Sequence, residues 1–350
     1  MKFRRTLLLT ASACAAAVVL IGLGWAQYQS HKQESASSID TPINNEIVLD
    51  TVVDSPIQPI RATQRLDARK VALGEMLFHD ARLSADNTLS CASCHNLAKG
   101  GDDGLKGSVG VYGAVGDSNS PTVFNASLNI TQFWDGRAKT LFEQIEGPIH
   151  HPKELGTNWN QIIGKIGSDT QYLPLFVQHY EDGITADNIK DAIVSFEQSL
   201  LTNNSPFDRY LLGDAHAVSE LAQKGYEKFK EYGCIACHQG QNVGGNMYQP
   251  LGVMGDYFKD RGTEITQIDL GRFNVTGREE DKFVFRVPSL RLASLTAPYF
   301  HDGSADTLTE AVQIMIKYQV GRTAEPEDVA MIIEFINSLV GEYKGKPLSL

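Results

Sequence analysis

The chain has 350 residues, which is enough for about two domains that each bury a hydrophobic core. Its 42 acidic residues outnumber its 31 basic residues, and the formal net charge at pH 7 is −11. The phosphate backbone of a nucleic acid repels a surface of that sign, so the composition argues against a nucleic-acid partner. A small protein with a positive face is more compatible, because complementary fields speed encounter.

Residues 1–26 have the layout of an export signal. They contain a charged start, a long apolar run and small residues before a plausible cleavage point after Ala26. The apolar run, residues 7–26, is also long enough to span a bilayer as an uncleaved anchor. We therefore predict a periplasmic protein that is either released or anchored to the inner membrane. Residues 27–60 are rich in Ser, Asp, Gln and Pro, which predicts a flexible linker.

The most specific motif, Cys-x-x-Cys-His, occurs twice. Two thiols at this spacing form thioethers to one porphyrin, and the adjoining His binds the iron. The alternatives are a redox-active dithiol or a zinc site of four thiolates, but a zinc ribbon places its Cys pairs closer together and needs no His after each. The motifs predict two covalently bound haem c groups, held by Cys91, Cys94, His95, Cys234, Cys237 and His238.

The two motifs belong to a duplication that covers most of the chain. A Gly-x-x-x-Phe pair precedes each motif, and each copy ends in an amphipathic helix with Phe-x-x-Ser-Leu. Between these landmarks the copies align without a gap at an offset of 167 residues. We predict a mostly α-helical protein with haem domains at 61–205 and 206–345. The landmarks are Gly74 with Phe78, Gly225 with Phe229, 196–200 and 335–339.

One difference between the copies concerns the sixth iron ligand. Met315 lies on an apolar helix of the second copy, where its thioether could bind the second haem iron, although Met247 and Met254 compete for this role and Met is often only a core residue. The equivalent position in the first copy is Pro148, which cannot bind iron. The first haem is therefore predicted to keep a position open for a small molecule.

Polar residues of the first copy accompany this open position. They are Gln144, the pair His150-His151, and Glu154. A carboxylate above an open iron suits peroxide, because it can take a proton from one peroxide oxygen and return it to the other. For Glu154 and the two His residues, an ordinary solvated surface position is the alternative.

Together these motifs closely resemble the bacterial di-haem cytochrome c peroxidases, which are related to the MauG group. The resemblance runs from about residue 64 to residue 342 and includes the segments 133–137, 147–149, 244–247 and 299–303. It implies two class-I cytochrome c-like haem domains that pack together, with the active site in the N-terminal one. It also implies reduction of hydrogen peroxide with electrons from a small donor, a cytochrome c or a cupredoxin. Members are commonly homodimers.

The resemblance assigns roles to individual residues. His95 would be the proximal ligand of the peroxidatic, low-potential haem. His238 and Met315 would bind the iron of the high-potential haem. Glu154 would be the distal acid/base, with Gln144 beside it.

Further residues are assigned in the same way. Trp134 would lie between the haems and take part in electron transfer, and His301 would lie near the second haem. An interdomain calcium ion would be held by Asn119, Thr296 and Pro298, partly through backbone carbonyls, and oxygen ligands with waters suit calcium.

The chain departs from the family pattern at one position. Many members carry a distal His on the loop before Trp134, and this His blocks the iron until the second haem is reduced. The corresponding residue here is Val111, which cannot bind iron, and no His lies between His95 and His150. The hypothesis is that the enzyme needs no reductive activation, or that another group such as Tyr112 blocks the site.

Other functions are compatible with the motifs but less favoured. A di-haem electron carrier would have no use for an open iron position at the first haem or for an acid such as Glu154 beside it. A membrane-anchored quinol peroxidase would tend to carry a third haem motif, and the sequence has two. A MauG-like protein would replace the Met ligand with Tyr, whereas Met315 stands at that position and Tyr318 lies one helical turn beyond.

Overall fold

The computed structural model describes residues 55–61 and 65–349. These residues form one mostly helical unit. Within them no helix is both long enough and apolar enough to cross a membrane. The predicted signal or anchor, residues 1–26, lies outside the described residues.

The described part contains α-helices and four short strands. The helices are α1 (Ala68–Phe78), α2 (Cys91–Cys94), α3 (Leu141–Gln144), α4 (Glu146–His150), α5 (Trp159–Gly167), α6 (Tyr172–Val177), α7 (Ala186–Ser199), α8 (Pro206–Leu211), α9 (Glu220–Glu231), α10 (Tyr257–Arg261), α11 (Phe273–Thr276), α12 (Leu308–Met315) and α13 (Pro326–Asn337). The strands form two antiparallel pairs, β1 (Tyr248–Pro250) with β2 (Val284–Arg286), and β3 (Glu342–Tyr343) with β4 (Lys346–Pro347).

Two pairs of helices cross closely, α1 with α7 in the first copy and α9 with α13 in the second. A glycine lies at each crossing. A β-carbon on Gly74 would overlap the carbonyl oxygen of Ala192, and one on Gly225 would overlap that of Met331. The Gly-x-x-x-Phe pairs in the sequence are therefore the contact points of two equivalent helix crossings.

The aromatic residue of each pair packs against the closing helix. The ring centroids of Phe78 and Phe196 are 5.2 Å apart, and those of Phe229 and Phe335 are 5.0 Å apart. All four side chains are buried. Both helix pairs thus use the same arrangement of a glycine contact beside an aromatic pair.

The middle parts of the two copies follow the same backbone path. Phe133 and Phe300 both have positive φ, 68° and 72°, which is rare for a bulky residue. Gly136 and Gly303 follow at 69° and 62°. Each pair is separated by the predicted offset of 167 residues, so the duplication extends to unusual local conformations.

The same pair of side-chain hydrogen bonds starts a helix in each copy. The Thr140 hydroxyl accepts from Glu143 N, and the Thr307 hydroxyl accepts from Glu310 N, each at 3.1 Å. The two glutamates in turn accept the backbone N–H that precedes each threonine. Such reciprocal bonds satisfy donors that a helix start leaves unpaired. They fix where α3 and α12 begin.

The described residues at the end of the predicted linker are packed. Ile57 is fully buried in the hydrophobic core of the second copy, and Ile60 is buried as well. The N–H of Gln58 donates to Gly240 O at 3.2 Å, and the Arg291 guanidinium donates to Gln58 O at 3.1 Å. The expectation of a flexible linker over 27–60 is therefore wrong for residues 55–60, because two isoleucines bury there and the backbone finds partners.

The glycine crossings can be tested by adding one methyl group. Gly225→Ala should lower the free energy of unfolding by about 1–3 kcal/mol, because α9 and α13 must separate to admit the β-carbon. Urea unfolding followed by circular dichroism measures this. Gly164→Ala is the control, since Gly164 lies inside α5 with open space around it and should gain about 0.5–1 kcal/mol. Equal stability of the Gly225 variant and wild type would show that the crossing is not tight.

Candidate haem sites

Each Cys-x-x-Cys-His motif lines its own cavity. The first cavity has a volume of about 250 Å³ and the second about 510 Å³. The first is lined by Cys91, Cys94 and His95, and the second by Cys234, Cys237 and His238. Since the two motifs line different cavities, the four thiols are not arranged as one zinc site.

The two motif histidines are held as neutral ligands. Nδ1 of His95 lies 3.1 Å from Gly101 O, and Nδ1 of His238 lies 3.4 Å from Val243 O. A proton on Nδ1 that is donated to a carbonyl leaves Nε2 to bind a metal. Burial lowers the pKa of both imidazoles, that of His238 to about 4. Both rings are therefore in the form that binds iron.

The motif cysteines are not activated as thiolates. Burial raises the pKa of Cys91 to about 12, and that of Cys94 and Cys234 to about 11. A redox dithiol needs a depressed thiol pKa. The protonated thiols thus argue against a thioredoxin-like function and are compatible with thioether attachment.

The two cavities share a wall, which contains a buried cation. Asn119, Trp134, Phe285, Arg286 and His301 line both cavities. Arg286 is 4% exposed, and burial lowers its pKa to about 10. Its Nε donates to a backbone carbonyl at 3.3 Å, and no ion pair to it occurs within the described part of the chain. A buried guanidinium without a counter-ion fits the anionic propionates of a haem.

Trp134 is fixed in this shared wall. Its indole N–H donates to the backbone oxygen of Asn119 at 2.9 Å. The Asn119 amide nitrogen donates to Leu105 O at 2.8 Å, and its backbone N–H donates to His301 O at 2.9 Å. The predicted residue between the haems thus lies where it contacts both cavities.

His301 is held by a buried ion-pair network. Its Nε2 lies 2.8 Å from Asp269, and its ring stacks on Phe285 at 4.5 Å. Although burial opposes it, hydrogen bonds from Arg261 and His301 hold the pKa of Asp269 well below its usual range. Asp269, His301 and Asp302 are close enough to bind a metal ion, but Arg261 donates to both carboxylates, at 2.7 and 2.8 Å. A guanidinium therefore occupies the cation position.

The residues at the candidate sixth positions differ between the two cavities. Met315, the last residue of α12, lines the second cavity and is followed by a π-helical turn, Ile316–Val320. Such turns often occur at functional sites. Met254 also lines this cavity but is 63% exposed, and Met247 lies outside its lining. Pro148 lines the first cavity.

Gln144 and Glu154 line the first cavity together with Pro148. Burial raises the pKa of Glu154, while the positive charges of His151 and Arg137 oppose this increase. Arg137 also lines the cavity, and its guanidinium lies 3.4 Å from the Phe133 ring centroid. Glu154 is therefore a partly buried carboxyl group on the lining of the first cavity, and its role as an acid/base stays a prediction.

The two adjacent histidines have different partners. His150 Nε2 lies 3.1 Å from Glu146, and its Nδ1 lies 3.2 Å from Thr157 O. His151 Nδ1 lies 3.4 Å from Glu154 Oε1. Both side chains are half-exposed. The half-exposed side chains agree with the alternative of a surface position, and His151 also contacts Glu154.

The loop that carries a blocking His in many relatives contains no such group here. Val111 is buried outside the cavity lining, and its backbone N–H donates to Glu154 O at 2.9 Å. Tyr112 is 80% exposed and does not line the cavity, so it is not in a blocking position. Of the described histidines, only His95 and His301 line the first cavity.

The three residues predicted to bind calcium come together at the second cavity. Asn119, Thr296 and Pro298 all line it. The bond from the Asn119 amide nitrogen to Leu105 O leaves the amide oxygen as its cation ligand. A set of neutral oxygens fits Ca²⁺ if waters complete the shell. Calcium binding stays a prediction.

One acidic residue of the first cavity is not among the defining residues of any motif seen in the sequence. Glu197 on α7 is 6% exposed, lines the cavity and has one carboxylate oxygen without a hydrogen-bond partner. Burial raises its pKa to about 8. Its equivalent in the closing helix of the second copy is Ile336, which lines the second cavity. A comparison of 196–200 with 335–339 could have found it.

These features define a c-type cytochrome with two haem sites in a duplicated helical fold. The family model for di-haem cytochrome c peroxidases matches residues 68–216. The chain belongs to this family, whose members are oxidoreductases that act on peroxide.

Several relatives are similar over most of the chain. It is 43% identical to cytochrome c551 peroxidase of Nitrosomonas europaea over 83% of this chain and 85% of that protein. It is 40% identical to cytochrome c551 peroxidase of Pseudomonas aeruginosa, over 88% and 86%. It is 49% identical to cytochrome c peroxidase Ccp of Escherichia coli K12 over 83% of this chain, which spans 62% of that protein.

Solved structures share the fold. A MauG-like protein associated with microbial copper homeostasis superposes with a TM-score of 0.70 at 26% identity, covering 81% of this chain and 93% of that protein. The di-haem peroxidase BthA from Burkholderia thailandensis superposes with a TM-score of 0.67 at 19% identity, covering 84% and 93%. The latter likeness concerns the fold alone.

The buried acid can be tested through the pH dependence of stability. Burial raises the pKa of Glu197 from its ordinary value of 4.5 to about 8 in the folded protein. The contribution of the neutral acid to the free energy of unfolding is therefore complete below pH 4.5 and is lost as pH rises through about 8. The loss at pH 7 is on the order of 3 kcal/mol. Glu197→Gln should remove this loss, so the variant should become more stable than wild type between pH 5 and 8.

Urea unfolding of the haem-loaded protein at several pH values measures this difference. Glu181→Gln is the control, since Glu181 is exposed and should leave the pH profile unchanged. If the Glu197 variant and wild type lose stability in parallel as pH rises, Glu197 is not a buried neutral acid.

Proposed function

We propose that the protein is a di-haem peroxidase that reduces hydrogen peroxide to water with electrons from a small periplasmic donor, a cytochrome c or a cupredoxin. The overall reaction is H₂O₂ + 2 H⁺ + 2 reduced donor → 2 H₂O + 2 oxidised donor. One observation carries the proposal. Met315 lines the second cavity, whereas the equivalent residue of the first cavity is Pro148. Gln144 and Glu154 line the first cavity together with Pro148. The names of the relatives support the same activity.

The haems belong to two class-I cytochrome c-like domains, at 61–205 and 206–345. His95 is the proximal ligand of the peroxidatic haem, and His238 with Met315 binds the iron of the electron-transfer haem. When bound, the haems supply the two electrons and the iron that activates peroxide. The thioethers form at the four motif cysteines, Cys91, Cys94, Cys234 and Cys237.

Glu154 moves the proton during peroxide cleavage. As a carboxylate it would accept a proton from one peroxide oxygen, and as a carboxylic acid it would return this proton to the other oxygen, so that water can leave. Gln144 orients the peroxide by hydrogen bonding. Burial raises the pKa of Glu154, which makes the carboxylic acid form easier to reach than in a solvated glutamate.

With both haems bound, the shared wall would lie between them, and Trp134 would be placed to assist electron transfer across it. Trp134 contacts both cavities through one indole ring, whose N–H is fixed by Asn119 O. Arg286 and His301 complete the wall, and Ca²⁺ at Asn119, Thr296 and Pro298 would fix the junction further. Export by residues 1–26 brings the enzyme to the periplasm, where small donors deliver electrons to the second haem.

The role of Glu154 is tested by replacing its carboxyl group with an amide. Glu154→Gln should lower kcat/KM for peroxide by about 10²- to 10⁴-fold, because an amide cannot act as acid or base. Stopped-flow oxidation of a reduced small cytochrome measures this rate, and the haem absorption spectrum should stay unchanged. Glu181→Gln should retain the wild-type rate. Activity with ubiquinol instead would indicate a quinol peroxidase, and no peroxide reaction in wild type would indicate an electron carrier.

The absence of a blocking group predicts an enzyme that needs no activation. The fully oxidised protein should show a high-spin first haem by EPR and turn over peroxide without a lag. Addition of one electron beforehand should leave the initial rate unchanged. A low-spin first haem with activity only after reduction would mean that some residue moves into the sixth position. The peroxidase assignment would survive that result.

A further inference from the structure

The loop from His151 to Gly156 has a fixed shape. The His151 N–H donates to Gly147 O at 3.0 Å, and the His151 carbonyl accepts from Glu154 N at 3.0 Å and from Gly156 N at 3.1 Å. Leu155 N donates to Pro148 O at 3.0 Å. These backbone bonds place the side chains of residues 151 and 154 beside one another.

The His151 imidazole lies between solvent and the carboxyl group of Glu154. Its Nδ1 is 3.4 Å from Glu154 Oε1, and 43% of its side chain is exposed. Nδ1 also lies 3.3 Å from Lys153 N, whose N–H it accepts in the neutral ring. Nδ1 thus has a backbone donor when neutral and a carboxylate acceptor when protonated.

Other charged groups around Glu154 are unsuited to relay a proton. Arg137 keeps its proton at all ordinary pH values and contacts Phe133 and Asp135. The Lys153 ammonium is bound to Asp117 at 2.7 Å. Cys94 is the remaining titratable neighbour, and thioether formation removes its proton. Among the described residues around Glu154, His151 has the side chain whose ring nitrogens can both donate and accept a proton.

We propose that His151 relays protons between solvent and Glu154. The inference rests on the proposed peroxidase function and adds a positioning residue to it. In the relay, the imidazolium Nδ1–H bond breaks and a Glu154 O–H bond forms, which leaves a neutral imidazole and a carboxylic acid. A solvent hydronium then returns a proton to the imidazole. Two such transfers supply the two protons that each peroxide consumes.

The test compares His151→Ala with His150→Ala in the haem-loaded full chain. Because solvent must then reach Glu154 without a relay, His151→Ala should lower kcat about tenfold, with KM for peroxide little changed and a larger solvent isotope effect. Added imidazole should restore the rate. His150→Ala is the matched control, since His150 binds Glu146 and Thr157 instead, and it should keep the wild-type rate.

A second readout does not depend on turnover. His151 lowers the pKa of Glu154 through its charge, so His151→Ala should raise that pKa. Infrared titration of the carboxyl absorption, taken as the difference from Glu154→Gln, measures the shift. An unchanged Glu154 titration with unchanged kcat in His151→Ala would overturn the relay while leaving the peroxidase function intact. Failure of the wild-type protein to react with peroxide would instead overturn the proposed function.

Discussion

The close crossing of two helix pairs is the constraint on which both cavities depend. At Gly74 and Gly225 the helices meet backbone to backbone, so any side chain would force them apart. The same crossings place residues of the closing helices on the cavity walls, Glu197 in one copy and Ile336 in the other. One glycine contact in each copy therefore sets how closely the closing helix approaches, and with it which side chain of that helix reaches the cavity wall.

The duplication provides two equivalent sites, and single substitutions make them different. In the second copy, Met315 and Ile336 give the cavity a thioether and an apolar wall. In the first, Pro148 and Glu197 replace them, so that cavity has no sulfur ligand at the equivalent position and contains a buried acid. A thioether ligand would raise the reduction potential of the second haem, and the first haem would lack this ligand. The substitution at the ligand position therefore predicts a higher reduction potential at the second site than at the first.

The sequence predicted features that depend on local spacing or on the duplication. The Cys-x-x-Cys-His motifs are local, and Pro148 could be matched to Met315 because the copies align there without a gap. The contact between His151 and Glu154 depends on the turn between them, which the residue types did not specify. The packing of residues 55–60 joins segments far apart in sequence. Long-range contacts of this kind leave no periodicity that a single sequence would show.

The wall between the cavities brings these elements together. Arg261 neutralises Asp269 and Asp302, and the Asp269 carboxylate in turn holds His301. The His301 carbonyl accepts from Asn119 N–H, and Asn119 O accepts from the Trp134 indole. A buried chain of charge-assisted and backbone hydrogen bonds therefore fixes the ring between the two sites. Because the wall is already assembled and the described residues bring no blocking group into the first cavity, we expect electron transfer across it to need no prior rearrangement.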